Sequence, residues 1–200
     1  MAQVFNPAQR DKLHSEERKK SLPAKKILTA CGLEENRVFL DVGCGNGYFS
    51  LPAAEIVGPG GKVYAFDISS QMLEDLQERA EARKLDNIKL FQVKETGVCE
   101  DDIKEELAGS GDMMLMANLL HEITSLPEFL ECYLRLLKDR SRLIVIDWRK
   151  KEMEAGPDYE HRLDVDRVQN LLREAELELE YSRILNEKYY LIVADKKSRE

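Results

Sequence analysis

The run Phe39-Leu40-Asp41-Val42-Gly43-Cys44-Gly45-Asn46-Gly47-Tyr48-Phe49 constrains this chain more than any other stretch. A short apolar segment reaches an acid, breaks into glycines at alternate positions, and gives way to residues that suit a helix. That is a strand, a tight turn and a helix start. Glycine has no Cβ, so the turn can take left-handed backbone angles and a ligand can approach bare peptide. A second strand, Lys62-Val63-Tyr64-Ala65-Phe66-Asp67, also ends in an acid, and Asp67 comes twenty positions after Gly47. A carboxylate there suits paired hydrogen bonds to a ribose diol. The two runs together predict a pocket for a nucleoside-bearing cofactor.

The dinucleotide fingerprint spaces its glycines as G-x-G-x-x-G and lays a pyrophosphate on the helix N-terminus. Here the third glycine comes one place early, and Tyr48 stands where the fingerprint has glycine. Asp41 lies two residues before the first glycine. A carboxylate repels a pyrophosphate and attracts an amino-acid ammonium. S-adenosylmethionine carries that ammonium, a ribose diol, an adenine and no phosphate. The residues fit it better than NAD or FAD.

These segments carry a family resemblance. DVGCGNGYF resembles motif I of the class I S-adenosylmethionine-dependent methyltransferases, and VYAFDIS resembles their second motif. GDMMLMANLLHEI is similar to their fourth strand, and LRLLKDRSRLIVIDW to their fifth strand with its preceding helix, so the likeness runs over about residues 37–148. The type 11 and ubiquinone-biosynthesis-like enzymes are nearest in pattern. The resemblance implies that Asp41 and the loop Gly43, Cys44, Gly45, Asn46, Gly47 and Tyr48 hold the methionine part. It implies Asp67 on the ribose, with Ile68, Ser69 and Met72 toward the adenine. Glu95 and Thr96 after strand three, and Asn118 and Leu119 after strand four, complete the implied cofactor set. The family's Pro-Gly-Gly before strand five is replaced by Lys138-Asp139-Arg140-Ser141, read as a surface turn.

Strands alternating with helices imply a doubly wound, Rossmann-like α/β fold. The expectation is a mostly parallel seven-stranded sheet with helices on both faces and an antiparallel C-terminal hairpin. Helices are expected at about 8–20, 24–31, 100–108, 127–138 and 164–176, besides one after the glycine loop and one capped by Ser69 or Ser70. Strands are expected at 62–67, 88–93, 112–117, 142–147, 179–186 and 188–195, after the first beginning at Val38. The 200 residues suit one domain, with residues 1–36 as a helical segment that folds over the acceptor or braces the sheet edge, and residues 37–200 as the core. Net charge is −8, which gives a nucleic-acid partner no electrostatic help. No apolar run approaches membrane-spanning length and the start is polar, so a cytoplasmic protein is expected. Cys31, Cys44, Cys99 and Cys132 form no C-x-x-C pair and have no histidine at metal spacing. Neither a metal site nor a disulfide is expected from them.

Methyl transfer from a sulfonium expels a neutral thioether, so alignment and water exclusion matter more than a fixed catalytic residue. His121, in Asn118-Leu119-Leu120-His121-Glu122 after strand four, is the candidate proton acceptor. Asp147 at the end of strand five is its companion candidate, and Trp148 either walls the pocket or packs in the core. Tyr159, Glu160 and Arg162 in the 149–163 loop are candidates for acceptor recognition, as are His14 and His161. The function expected is methylation of a small molecule. An NAD-dependent oxidoreductase, or a protein that binds S-adenosylmethionine without turnover, are the alternatives. Neither the acceptor nor the oligomeric state is legible.

Overall fold

The computed structural model describes residues 16–94, 105 and 107–198. Up to residue 94 they form one compact unit, and from 105 onward another.

The first unit opens with two short helices, α1 (Glu16–Ser21) and α2 (Ala24–Ala30), joined at Leu22-Pro23. Strand β1 (Val38–Val42) leads through the glycine loop into α3 (Ser50–Val57). Pro52 falls in the first turn of α3, where its missing N–H has no intrahelical partner to lose. Strand β2 (Lys62–Asp67), helix α4 (Ser70–Ala82) and β3 (Ile88–Gln92) follow. The strands pair in parallel in the order β3-β2-β1, with Val38 beside Lys62 and Val63 beside Ile88. Ser69 caps α4, its hydroxyl accepting from the Met72 N–H at 3.3 Å. The stripe Leu73, Leu76 and Ala80 is buried with Cys44, Leu51 and Ala65, so α4 and the glycine loop share one core.

The second unit contains β4 (Gly111–Ala117), a 3₁₀ turn at Leu120–Glu122, α5 (Leu126–Leu134) and β5 (Leu137–Trp148). A second 3₁₀ turn at Tyr159–His161 precedes α6 (Val165–Glu174), β6 (Leu177–Ile184) and β7 (Tyr189–Lys196). The strand order is β4-β5-β7-β6, parallel between β4 and β5 and antiparallel on both sides of β7. Leu143 to Ile146 and Tyr190 to Ala194 are fully buried, which is why both runs read as continuous apolar strands. The hairpin closes where Asn186 Oδ1 accepts from the Lys188 and Tyr189 N–H groups.

The seven strands match the fold class read from the sequence, including the antiparallel end. Two boundaries differ. The helix expected at 127–138 stops at Leu134, and β5 begins at Leu137 rather than at 142. The Lys138-to-Ser141 turn is a bulge inside the strand. Arg140 takes φ 57°, the Ser141 hydroxyl donates to the Lys138 carbonyl at 2.6 Å, and pairing with β4 jumps from Gly111–Leu137 to Met113–Arg142. Arg142 then makes a bidentate pair with Asp195, its register partner on β7, at 2.7 and 2.8 Å. Most of the helix expected at 8–20 and most of that at 100–108 lie outside the described residues. Cys132 is disulfide-bonded, contrary to expectation, while Cys31 and Cys44 are free.

Candidate active site

In the first unit the acids stand at the C-terminal ends of parallel strands, where such sheets bind ligands. Asp41, on β1, is 2% exposed. The Ser50 hydroxyl, at the start of α3, donates to Asp41 Oδ2 at 2.5 Å. Burial pushes the Asp41 carboxyl up from 3.8 to about 7, against the Ser50 hydrogen bond and with the charge of Asp67 adding to the rise. Asp67, at the end of β2, is held from two sides. The Gly45 N–H donates to its Oδ2 at 2.8 Å and the Ser69 N–H to its Oδ1 at 2.9 Å. Burial raises its pKa too, opposed by those backbone donors. The two oxygens accept from backbone N–H groups and retain lone-pair capacity for a ligand.

The glycine loop follows from this arrangement. Gly45 has φ 53°, a left-handed turn that glycine takes without strain, and its N–H is the one that reaches Asp67. Gly47 has φ 88°, and a Cβ there would lie 2.3 Å from Leu76 Cδ1. Glycine at 47 is therefore favoured by its left-handed backbone, and any Cβ there would also force the Leu76 side chain to shift. Cys44 is buried, and burial first, then Asp41 and Asp67, pushes its thiol well up. It is a packing residue with an inert sulfur. Asn46 is fully buried.

The Tyr48 side chain turns away from the loop to the N-terminal segment. Its hydroxyl donates to the Leu22 carbonyl at 2.6 Å and the Arg18 guanidinium lies 4.8 Å above its ring. Met72 is 3% exposed, a core residue of α4, whereas Ile68 is 37% exposed. Glu95 and Thr96 lie outside the described residues, as does His14. Ser50 was not singled out from the sequence; a serine opening a helix reads as an ordinary cap, and nothing local says that it faces Asp41.

In the second unit His121 and Asp147 meet. His121 Nδ1 lies 2.7 Å from Asp147 Oδ1, and the His121 N–H donates to Oδ2 at 3.2 Å. The Trp148 N–H donates to Oδ1 at 2.8 Å. These bonds fix the ring with its Nδ1 proton toward Asp147 and leave Nε2 as the exchangeable nitrogen. The His121 side chain is 6% exposed and that of Asp147 is 1% exposed. Burial lowers the His121 pKa, but the charge and hydrogen bond of Asp147, with the charge of Glu122, outweigh it and Arg162, so the net shift is above 6.5. Asn118, just past β4, has φ 54°, and neither atom of its buried amide has a partner among the described residues. Leu119 precedes the 3₁₀ turn that carries His121.

Arg162 is a brace, not a free recognition group. It is 3% exposed and donates to the carbonyls of Pro157, Ala155, Lys151 and Met153. It ties down the loop after β5. Trp148 packs 4.5 Å from the Tyr189 ring, and Gly156 approaches so closely that a Cβ would come within 2.6 Å of the indole. Packing is thus its role. Tyr159 is exposed, with Lys150 Nζ 5.2 Å from its ring centre. Nδ1 of His161 is buried without a partner among the described residues.

A family model described as a methyltransferase domain matches residues 33–195. Demethylmenaquinone methyltransferase of Geobacillus stearothermophilus is 38% identical over 67 residues, which are 34% of this chain and 29% of that protein. Nocamycin O-methyltransferase of Saccharothrix syringae is 35% identical over 104 residues, 52% of this chain and 35% of that protein. The chain thus matches only about a third of the length of either. A solved structure of a SAM-dependent methyltransferase from Aquifex aeolicus superposes with a TM-score of 0.87 at 27% identity, covering 96% of this chain and 99% of that one.

Proposed function

We propose that this chain, which belongs to the methyltransferase domain family, transfers the methyl group of S-adenosylmethionine to a small-molecule acceptor. The observation that carries this reading is the pair of acids, buried Asp41 and half-buried Asp67, about a glycine loop without a basic residue. Burial has made both carboxylates costly, and a cationic ligand with a diol relieves that cost. NAD would place a pyrophosphate against the same acids. When bound, S-adenosylmethionine supplies an electrophilic methyl on a sulfonium that leaves as a neutral thioether.

The residues then have distinct duties. Asp41, steadied by Ser50, attracts the ammonium of the amino-acid part. Asp67, oriented by the N–H groups of Gly45 and Ser69, accepts from the ribose hydroxyls. The Asn118 amide, without a partner among the described residues, offers the donors of its NH2 and its carbonyl oxygen to a ligand. His121, held by Asp147, takes the acceptor's proton at Nε2. The names of the curated relatives, a demethylmenaquinone methyltransferase and a nocamycin O-methyltransferase, support a small-molecule acceptor. A net charge of −8 argues against a nucleic-acid partner.

Calorimetry with S-adenosylmethionine, S-adenosylhomocysteine and NAD tests the binding half. The two sulfur compounds should bind and NAD should not; the reverse sinks the reading. Labelled methyl transfer to a metabolite extract tests turnover, with His121→Asn expected to slow it while cofactor affinity is kept. Binding without any labelled product would leave only the non-catalytic reading.

A further inference from the structure

His121 is flanked by a second carboxylate that the proposed reaction does not yet use. Glu122 Oε1 lies 3.7 Å from Nε2, the nitrogen opposite the one that Asp147 holds. The ring is thus enclosed by an acid at each end, both on short, well-packed segments. Asp147 is anchored in β5, and Glu122 belongs to the 3₁₀ turn, where its N–H donates to the Leu119 carbonyl at 2.9 Å.

With Nδ1–H donated to Asp147, neutral His121 turns the Nε2 lone pair toward the lone pairs of Glu122. That contact is repulsive. A proton on Nε2 reverses its sign, since the ring becomes an imidazolium between two carboxylates. Building on the methyl-transfer reading, we propose that Glu122 is a positioning residue for His121: it stabilises the imidazolium that forms when Nε2 removes the proton of an acceptor hydroxyl. In that step the acceptor O–H bond would break, an Nε2–H bond would form, and the freed oxygen pair would take the methyl carbon as its bond to sulfur breaks, that pair staying on the neutral thioether. The proton then returns to water. Glu122, at 17% side-chain exposure against 6% for His121, is the more open of the two to solvent.

Other charged groups near the ring divide in sign. Asp147 from β5 and Glu122 from the turn favour the proton, and Arg162 from the loop after β5 opposes it. Tyr190 on β7 stands opposite Asp147 in the strand register, and its phenol is held protonated by burial first and then by Asp147 and Asp164. It is therefore neutral in the range where His121 titrates. Glu122 is the one of these acids placed on the Nε2 side at close range.

The test is an NMR titration of the ligand-free protein, which reads the link without any turnover. The chain has three histidines, and His121→Asn identifies the His121 resonance. Glu122→Gln should lower the His121 midpoint by about one pH unit, a roughly tenfold loss of proton affinity, while Glu122→Asp keeps most of it. A midpoint within about 0.3 unit of wild type overturns the proposal. Should Glu122→Gln not fold, Glu122→Ala is read against the same threshold. The acid limb of the pH–rate profile should move by the same amount. If the midpoint moves and the limb stays, His121 is not the base, and that part of the functional reading falls while the electrostatic link stands. If S-adenosylmethionine fails to bind the wild type, the functional reading fails and the titration still decides the link.

Discussion

Replacing Asp41 with asparagine should make the ligand-free protein more stable and the cofactor weaker to bind. Burial raises the Asp41 carboxyl from 3.8 to about 7. Below 3.8 the group is protonated in both the folded and the unfolded chain, and its native hydrogen bond has no charge cost. As pH rises, the unfolded chain ionises first, so wild-type stability falls until the native carboxyl also ionises near pH 7. Three pH units at about 1.4 kcal/mol each give a cost of about 4 kcal/mol above that point. Asparagine carries no such cost and keeps an oxygen for the Ser50 hydroxyl, giving back about 1 kcal/mol through the weaker neutral bond. The gain at pH 8 is therefore about 3 kcal/mol, or roughly 6–10 °C in melting temperature for a chain of this size. Thermal melts of both proteins at pH 5 and pH 8 check this. The gap between them should widen by about 3 kcal/mol across that interval, because the carboxyl is largely protonated at the lower pH. Saturating S-adenosylmethionine should narrow it at pH 8, since the wild type alone gains a charge partner. A gap that is flat with pH would falsify the claim that an uncompensated buried charge waits at this position.

Asp67→Ala should weaken S-adenosylmethionine binding by about 1–3 kcal/mol in calorimetry, through lost charge-assisted bonds; unchanged affinity removes the ribose assignment. Gly47→Ala should destabilise the fold by about 1–3 kcal/mol in denaturant melts, from φ strain and the collision with Leu76, and a neutral result would mean that α4 yields freely. Tyr48→Phe should cost about 1 kcal/mol from the lost bond to the Leu22 carbonyl and raise the proteolysis rate of the segment before α2. An unaltered digestion pattern would show that Tyr48 does not hold that segment.

Local signals carried most of the fold. Alternating apolar and helical runs marked β2 to β4, α4, α6 and the closing hairpin within a residue or two, because turn chemistry and burial period act over a few neighbours. Ser69 was legible as a cap for the same reason. The fifth strand began earlier than its β-branched run suggested, since the Lys138-to-Ser141 bulge is kept in the sheet by pairing with β4 that no local pattern announces. Arg162 read as a recognition group and is a loop brace, because a cationic side chain looks the same on paper whether it meets a ligand or four carbonyls.

What the sequence determined by itself was the glycine corner, the two strand-end acids and the identity of the cofactor they favour. Spacing along one βα unit suffices there, since the chain cannot place those groups far apart. The meeting of His121 with Asp147 across 26 positions, the second carboxylate of Glu122 at the ring, the Ser50 bond to Asp41 and the diversion of Tyr48 toward Leu22 were decided only by the tertiary structure. Each depends on which side chains the pairing of strands and the packing of helices bring within about 4 Å, and on how much water they lose there. Charge cost and ring basicity follow from that desolvation, which a linear string of residues does not encode.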